Sequence, residues 1–167
     1  MSTLLEKQIK VNRIVTTSIE HARAIEDPAR AKIVEMLYRQ ALSADQITSV
    51  LKKVGYKKAL TTVRHHLEIL KNSGLIEIAK IEESRGAIKK YYGTSTKLLD
   101  FKTPEDFDSK YSKIIDKTST KIEKIIKGLT PKITKSKGKK SKEYSQYLVV
   151  EIINRAMTNV LENSENK

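Results

Sequence analysis

The chain of 167 residues contains no cysteine and no tryptophan, and only 3 prolines, 6 glycines and 3 histidines. The lack of cysteine excludes disulfides, thiolate zinc sites, iron–sulfur clusters and thiol nucleophiles. No apolar run reaches the roughly 18 residues that a membrane-spanning helix needs. The first ten residues, MSTLLEKQIK, interrupt their apolar positions with charges, unlike a secretory signal. We therefore expect no membrane segment and a cytoplasmic location.

Signatures of catalysis are missing as well. The chain has no phosphate-cradling glycine loop, no nucleophile-elbow sequence and no metal-ligand spacing. His65 and His66 are adjacent, so on a helix they point to different sides, and the other histidine, His21, is far away in sequence. The sequence predicts that the protein is not an enzyme and that it has neither a metal site nor a cofactor.

Positive charge, by contrast, is abundant. Lys and Arg total 33 against 20 acidic residues, which gives a net charge of +13 and points to a polyanionic partner. Residues 131–142, PKITKSKGKKSK, carry six lysines and no acid, which is less than half of the excess. We interpret this stretch as a linker or an auxiliary basic arm that adds nonspecific affinity for nucleic acid. The lysines of this stretch are Lys132, Lys135, Lys137, Lys139, Lys140 and Lys142.

Helix signals recur along the first half of the chain. Apolar residues at helical spacing predict an N-terminal helix over 3–25. Asp27-Pro28 is typical of a helix start, and the helix that begins there is predicted to end near Gln40. Ser43 and Gln46 have the spacing of a capping box, which predicts another helix to about Val54. These signals favour short helices in succession.

A third short helix is predicted over about 59–72, with Val63, Leu67 and Leu70 as its buried stripe and Gly74 after its end. A two-stranded hairpin is predicted over about 76–92, with its turn within residues 82–87. Two longer helices follow, at about 104–129, ended by Gly128 and Pro131, and at about 142–162.

Three short helices followed by a hairpin predict a mainly α fold with one β-hairpin: a winged helix-turn-helix with an N-terminal helix and two C-terminal helices. The domain assignment places an N-terminal helix at 1–26, a DNA-binding domain at 27–99, a helix for dimerisation at 100–130, the lysine-rich stretch at 131–142 and a last helix at 143–167. The N-terminal helix is also expected to serve dimerisation, because its apolar stripe needs cover.

The helix over 59–72 is the candidate reading element, because a major groove admits one helix. Its apolar stripe faces the core, so the opposite flank is free for DNA. On that flank Arg64 can pair with guanine or a phosphate, while the hairpin can grip the minor groove or the backbone. The candidate residues are Lys57, Lys58, Thr61, Thr62, Arg64 and His65 on the helix and its approach, and Arg85, Lys89 and Lys90 on the hairpin.

The segments DPARAKIVEML, LSADQITSVL, LTTVRHHLEILKNSGLIE and KKYYGTST together resemble the ArsR-type winged-helix regulators. The resemblance covers about residues 25–99, and its most specific part is V-x-H-H-L-x-x-L-x-x-x-G-L-I, from Val63 to Ile76. It implies a dimeric transcriptional regulator, more often a repressor, that reads the major groove with residues 61–65 and uses residues 85–90 as a wing. Residues 55–60, GYKKAL, make a longer link than this family usually has.

The leading hypothesis is a homodimeric, sequence-specific regulator bound to double-stranded DNA in the nucleoid, with any small-molecule effector unidentified. Two alternatives stay open. One is an architectural or chromatin-like protein that binds DNA with little sequence preference, and the other is a winged-helix module that contacts proteins of the transcription machinery. Competition between DNA sequences separates the sequence-specific regulator from the architectural protein.

Overall fold

The computed structural model describes residues 8, 11, 13–134 and 141–164, and the chain divides into two compact units. One unit is Thr17–Phe101, and the other combines residues 1–16 with residues 102–167. Among the described residues, no helix is both long enough and apolar enough to span a membrane.

The first unit contains four helices and a small sheet. In chain order its elements are α1 (Ile19–Ala24), α2 (Pro28–Met36), β1 (Leu42–Ser43), α3 (Ala44–Lys53), α4 (Leu60–Asn72), β2 (Glu77–Ser84) and β3 (Ala87–Gly93). The predicted winged helix-turn-helix is confirmed: three short helices, α2 to α4, precede a β-hairpin.

The predicted capping residues explain where these helices begin. The carboxylate of Asp27 accepts hydrogen bonds from the amides of Ala29 and Arg30 at 2.8 and 3.2 Å, and Pro28 occupies the first helical position. Ser43 and Gln46 form both hydrogen bonds of the capping box at the start of α3. The helix starts are therefore encoded locally.

The end of α4 shows why a glycine follows it. Gly74 has φ of +79°, and its amide donates to the carbonyl of Lys71, while the amide of Leu75 donates to the carbonyl of Leu70. This hydrogen-bond pair closes the last turn and needs a left-handed residue. Leu75 and Ile76 are then carried into the core.

The sheet has three antiparallel strands in the order β1-β3-β2. The hairpin was predicted, but β1 was not, because two residues are too short to show a strand pattern. Leu42 and Ser43 pair with Tyr92 and Tyr91, so β1 exists only through a partner about 50 residues away in sequence. The register of β2 and β3 shifts between Ile78 and Lys80.

The core lies where the helices meet the base of the sheet. Its fully buried side chains come from all of α2, α3 and α4, and the expected stripe on α4 is confirmed. The largest of them are Ile33, Val34, Leu37, Ile47, Leu51, Val63, Leu67 and Leu70.

The second unit is a helical hairpin of α5 (Phe107–Thr134) and α6 (Lys142–Ser164), together with the segment that precedes α1. The hydroxyl of Thr16 donates to a carboxylate oxygen of Glu151 on α6 at 2.7 Å. Val149 is the one buried residue among those described in this unit. One copy of the unit thus has almost no core of its own.

Three sequence expectations need correction. The helix expected over 3–25 is limited to α1 in the described residues, because residues 13–18 are not helical and Ser18 caps α1. Helix α2 ends at Met36 rather than near Gln40. Helix α5 continues through Gly128 and Pro131 to Thr134, so the start of the lysine-rich stretch is helical rather than a linker. A proline inside a helix removes one amide donor and crowds the carbonyl four residues earlier, and only the last turn of α5 lies beyond Pro131.

His66 generates a prediction about acid stability. Its side chain is buried in the core, and both ring nitrogens are without a hydrogen-bond partner in the described structure. Burial lowers the pKa of His66; the charge of Asp27 opposes this, while nearby cationic groups add to it. The neighbours that lower the pKa of His66 are Arg30, Lys58 and His65.

Because its folded-state pKa lies below the unfolded value, protons bind the unfolded chain more readily as the pH falls. We expect the stability that neutral His66 contributes to be present above about pH 6.5 and to be lost below it. Urea unfolding at about pH 7.5 and about pH 5 measures this, and His66→Leu should reduce the difference between the two. An equal loss of stability in the variant would contradict the assignment.

Candidate nucleic-acid interface

Helix α4 has one polar, exposed flank. Thr61, Arg64 and His65 are exposed, and Thr62 is half-buried beside them. The helical period is the cause, because positions 63, 66, 67 and 70 face the core. Positions 61, 64 and 65 lie on the other side of the helix and therefore face outward. The structure therefore places all four sequence-predicted residues of this helix on or beside one accessible surface.

The start of α4 is open to an anion. Ala59 is its extended N-cap residue and makes no side-chain hydrogen bond to the helix. The first amides of α4 are thus not capped by a side chain, and Lys57 and Lys58 are exposed just before them. Free amides and the partial positive charge of a helix N-terminus favour phosphate groups.

The tip of the hairpin is tighter than predicted. The turn is limited to Arg85 and Gly86, whose φ values are +51° and +79°, instead of the six residues expected. Positive φ at both central residues is the geometry of a two-residue hairpin turn that matches the twist of its strands. Arg85 is exposed at this tip, at the cost of a left-handed backbone that arginine disfavours.

The two predicted lysines of the wing do not lie together. Lys89 and Lys90 are adjacent in β3, so they lie on opposite faces, although both are exposed. The ammonium nitrogen of Lys89 is 5.5 Å from the ring centre of Tyr91, and that of Lys80 on β2 is 5.4 Å from the same ring. One face of the wing thus carries two cations around one tyrosine.

Lys80 is a residue that the sequence reasoning missed. It opposes Tyr91 across the hairpin and forms an ion pair with Glu82, whose hydrogen bond raises the pKa of Lys80. Only the strand register reveals this placement, because the irregularity after Ile78 changes which residues face each other. In the sequence, the only signal for this placement was weak, namely the position of Lys80 in a predicted hairpin that also contains Tyr91.

The described ends of the lysine-rich stretch belong to the second unit. Lys132 lies in α5 and Lys142 begins α6, both in the second unit. Lys135, Lys137, Lys139 and Lys140 lie outside the described residues. Within the part of the chain that the structure describes, no group of three metal-binding side chains occurs.

Comparison with known proteins supports the helix-turn-helix. Residues 25–79, which contain α2, α3, α4 and the start of β2, match a family model described as a helix-turn-helix domain. No curated protein matches the chain. The match covers less than half of the chain, so it characterises the first unit rather than the whole protein.

Remote similarity to solved structures is found for three proteins, among others. HlyU from Vibrio cholerae is 20% identical, with 47% of this chain and 74% of that chain covered and a TM-score of 0.36. PadR of Bacillus subtilis, in complex with operator DNA, is 16% identical, with 84% and 96% covered and a TM-score of 0.38. The ferric uptake regulator of Vibrio cholerae is 20% identical, with 59% and 85% covered and a TM-score of 0.35.

The hairpin tip generates a prediction about stability. Arg85→Asn should stabilise the protein by about 0.5–1 kcal/mol, because asparagine tolerates the positive φ of this turn better than arginine does. Thermal unfolding measures the change. The matched control is Lys90→Asn, which removes a charge from an ordinary strand position and should leave stability unchanged or lower it. A loss of stability in Arg85→Asn would show that the arginine side chain holds the tip.

Proposed function

We propose that the protein is a homodimeric, sequence-specific transcriptional regulator that binds double-stranded DNA, with the resemblance to the ArsR type favouring a repressor. The observation that carries this proposal is the division of α4 into a buried apolar stripe and an exposed polar flank. A helix held in this way offers its outer side to a major groove without unfolding any part of the core.

Base reading is assigned to the flank of α4. Arg64 has the length and the fork of donors to pair with the O6 and N7 atoms of guanine. Thr61 and His65 lie on the same exposed side and can bond base edges or phosphates, with Thr62 at the margin. His65 acts here as a hydrogen-bonding group, because its ring nitrogens can donate to or accept from a base edge or a phosphate.

Phosphate binding is assigned to the groups around that helix. The uncapped N-terminus of α4, with Lys57 and Lys58 before it, suits one strand of the backbone. Arg85 at the tip and Lys89 with Lys80 on one wing face suit the adjacent minor groove or backbone, with Lys90 on the other face. Such contacts supply affinity and orientation, while the bases supply selectivity.

A homodimer would present two reading helices to DNA. Two-fold symmetry requires a pseudo-palindromic site, with half-sites about 34–36 Å apart or a multiple of that distance. The nearly coreless second unit supports dimerisation, because its exposed apolar side chains need cover from another element.

The test of this proposal is competition for DNA at physiological salt. A regulator selected on random-sequence DNA should prefer its best site over bulk DNA by about 10³-fold or more. Equal competition by all sequences would replace the proposal with the architectural function. DNA affinity that stays unchanged in the double variant Arg64→Ala/Lys89→Ala would point to a protein partner instead.

Base reading by Arg64 has its own prediction. Arg64→Ala should cost about 1–3 kcal/mol of binding free energy at the preferred site and should relax the choice of base at one position. Fluorescence anisotropy with a set of single-base variants of the site measures both effects.

The matched control is Lys32→Ala, which removes a charge from α2, a helix with none of the proposed contacts. Its effect on affinity should be small and independent of sequence. A loss in Arg64→Ala that is the same for every sequence would assign Arg64 to phosphate rather than to a base.

A further inference from the structure

The hairpin of β2 and β3 is nearly neutral, although it belongs to a strongly basic chain. It contains four basic and three acidic residues, whereas the whole chain has a net charge of +13. An element that contacts phosphates is attracted through each of its cations and repelled through each of its acids. The positions of the acids on the hairpin therefore bear on how it binds DNA.

One of these acids lies within a group of four side chains on one face of the hairpin, which we call the wing cluster. Its members are Lys80, Glu82, Lys89 and Tyr91. In the strand register Lys80 is opposite Tyr91 and Glu82 is opposite Lys89, so all four side chains belong to the same face. The two ammonium nitrogens lie 5.4 and 5.5 Å from the centre of the tyrosine ring.

The carboxylate of Glu82 joins the members of this cluster. It forms an ion pair with Lys80 and accepts a hydrogen bond from the hydroxyl of Tyr91. The hydrogen bond from Lys80, followed by that from Tyr91, lowers the pKa of Glu82, so the carboxylate is charged at neutral pH. Within residues 79–90, where exposure is described for all but Ser84, only Glu82 is half-buried and the others are exposed.

The carboxylate takes the place that suits a phosphate of the DNA backbone. Carboxylate and phosphate oxygens accept the same kind of hydrogen bond from an ammonium group or a hydroxyl. A phosphate that approaches Lys80 is also repelled by Glu82, because the carboxylate lies against the same ammonium group. The charges of Lys80 and Glu82 cancel, which leaves the wing cluster with the net charge of Lys89 alone.

We infer that Glu82 competes with the DNA backbone inside the protein: its carboxylate holds Lys80 and Tyr91 in place of a phosphate and thereby limits the affinity of the wing for DNA. The inference rests on the proposed function, because it requires that the wing contacts DNA phosphates. Since phosphate contacts are shared by all sequences, a weaker wing leaves a larger share of the binding free energy to the base contacts of α4.

Salt dependence provides a signature of this competition. A lysine that meets a phosphate releases condensed counterions, which contributes about 0.9 to the slope of log K against log salt concentration. When Lys80 leaves Glu82 for a phosphate, the uncovered carboxylate can take up a cation, and this uptake offsets the release. Removal of the carboxylate should therefore steepen the slope by about one.

The test is the variant Glu82→Gln in the full-length protein. Glutamine has nearly the same shape, and its amide oxygen can still accept the hydrogen bond from Tyr91, but it carries no charge. We expect this variant to bind a duplex of arbitrary sequence about 2- to 5-fold more tightly at physiological salt, with a salt slope steeper by about one. Fluorescence anisotropy over a salt titration measures both changes.

Glu83→Gln is the matched control, because it removes the same charge from the next residue of the same strand. Glu83 is opposite Ile88, on the other face of the hairpin from the wing cluster. Its replacement should leave the salt slope unchanged and should alter DNA affinity less than Glu82→Gln does. Thermal unfolding of both variants verifies that the fold is retained, as expected because an exposed ion pair contributes little to stability.

A double-mutant cycle tests whether Glu82 acts through Lys80. Lys80→Gln should weaken DNA binding more in the Glu82→Gln background than in the otherwise unchanged protein, because only in the unchanged protein is Lys80 already paired. In a Lys80→Gln background, Glu82→Gln should no longer steepen the salt slope. A purely structural role of Glu82 would not produce this coupling.

Equal effects of Glu82→Gln and Glu83→Gln would overturn the inference, because net charge alone would then explain them. Unchanged binding by Glu82→Gln would overturn it, and so would weaker binding, which would mean that Glu82 positions Lys80 for the phosphate. Selective DNA binding with any of these results contradicts the inference alone. A coupled gain of affinity without sequence preference contradicts the regulator alone, and a protein that does not bind DNA contradicts both.

Discussion

The burial of one side of α4 is the constraint on which the first unit depends. Val63, Leu67 and Leu70 are fully buried against residues of α2 and α3, and this contact sets the rotation of the helix about its axis. Rotation of the helix by half a turn would bury Arg64 and Thr61 and expose the three apolar residues, which is unfavourable on both counts. The outward direction of the polar flank is therefore a consequence of packing.

The two units differ in what a single chain can stabilise. Residues 17–101 bury a continuous core with capped helices and a paired sheet, so the candidate interface is built on a self-sufficient scaffold. The α5–α6 hairpin has one buried residue among those described, so a single chain gives it little hydrophobic stabilisation. The first unit thus buries a core of its own, whereas the described part of the second unit leaves most of its apolar side chains exposed.

Local signals were sufficient where a structure depends on neighbours in sequence. The capping box of Ser43 and Gln46, the start at Asp27-Pro28 and the turn at Gly74 were all predicted, because hydrogen bonds between residues two to five apart determine them. Local signals failed at the N-terminus, where apolar spacing over 3–25 predicted a helix but residues 13–18, up to the cap residue of α1, are not helical. Helical spacing of apolar residues shows that a helix with one apolar side is possible, and the packing of that side against other elements determines whether the helix forms.

The sequence by itself determined the order of elements, the two faces of α4 and the excess of positive charge, because helical period and composition are properties of the chain alone. Only the tertiary structure decided that Leu42 and Ser43 form a strand, that the hairpin turns on Arg85 and Gly86, and that Lys80 joins Lys89 at Tyr91. Each of these depends on which distant residue lies opposite, and strand register is set by contacts across the sheet that no local pattern contains.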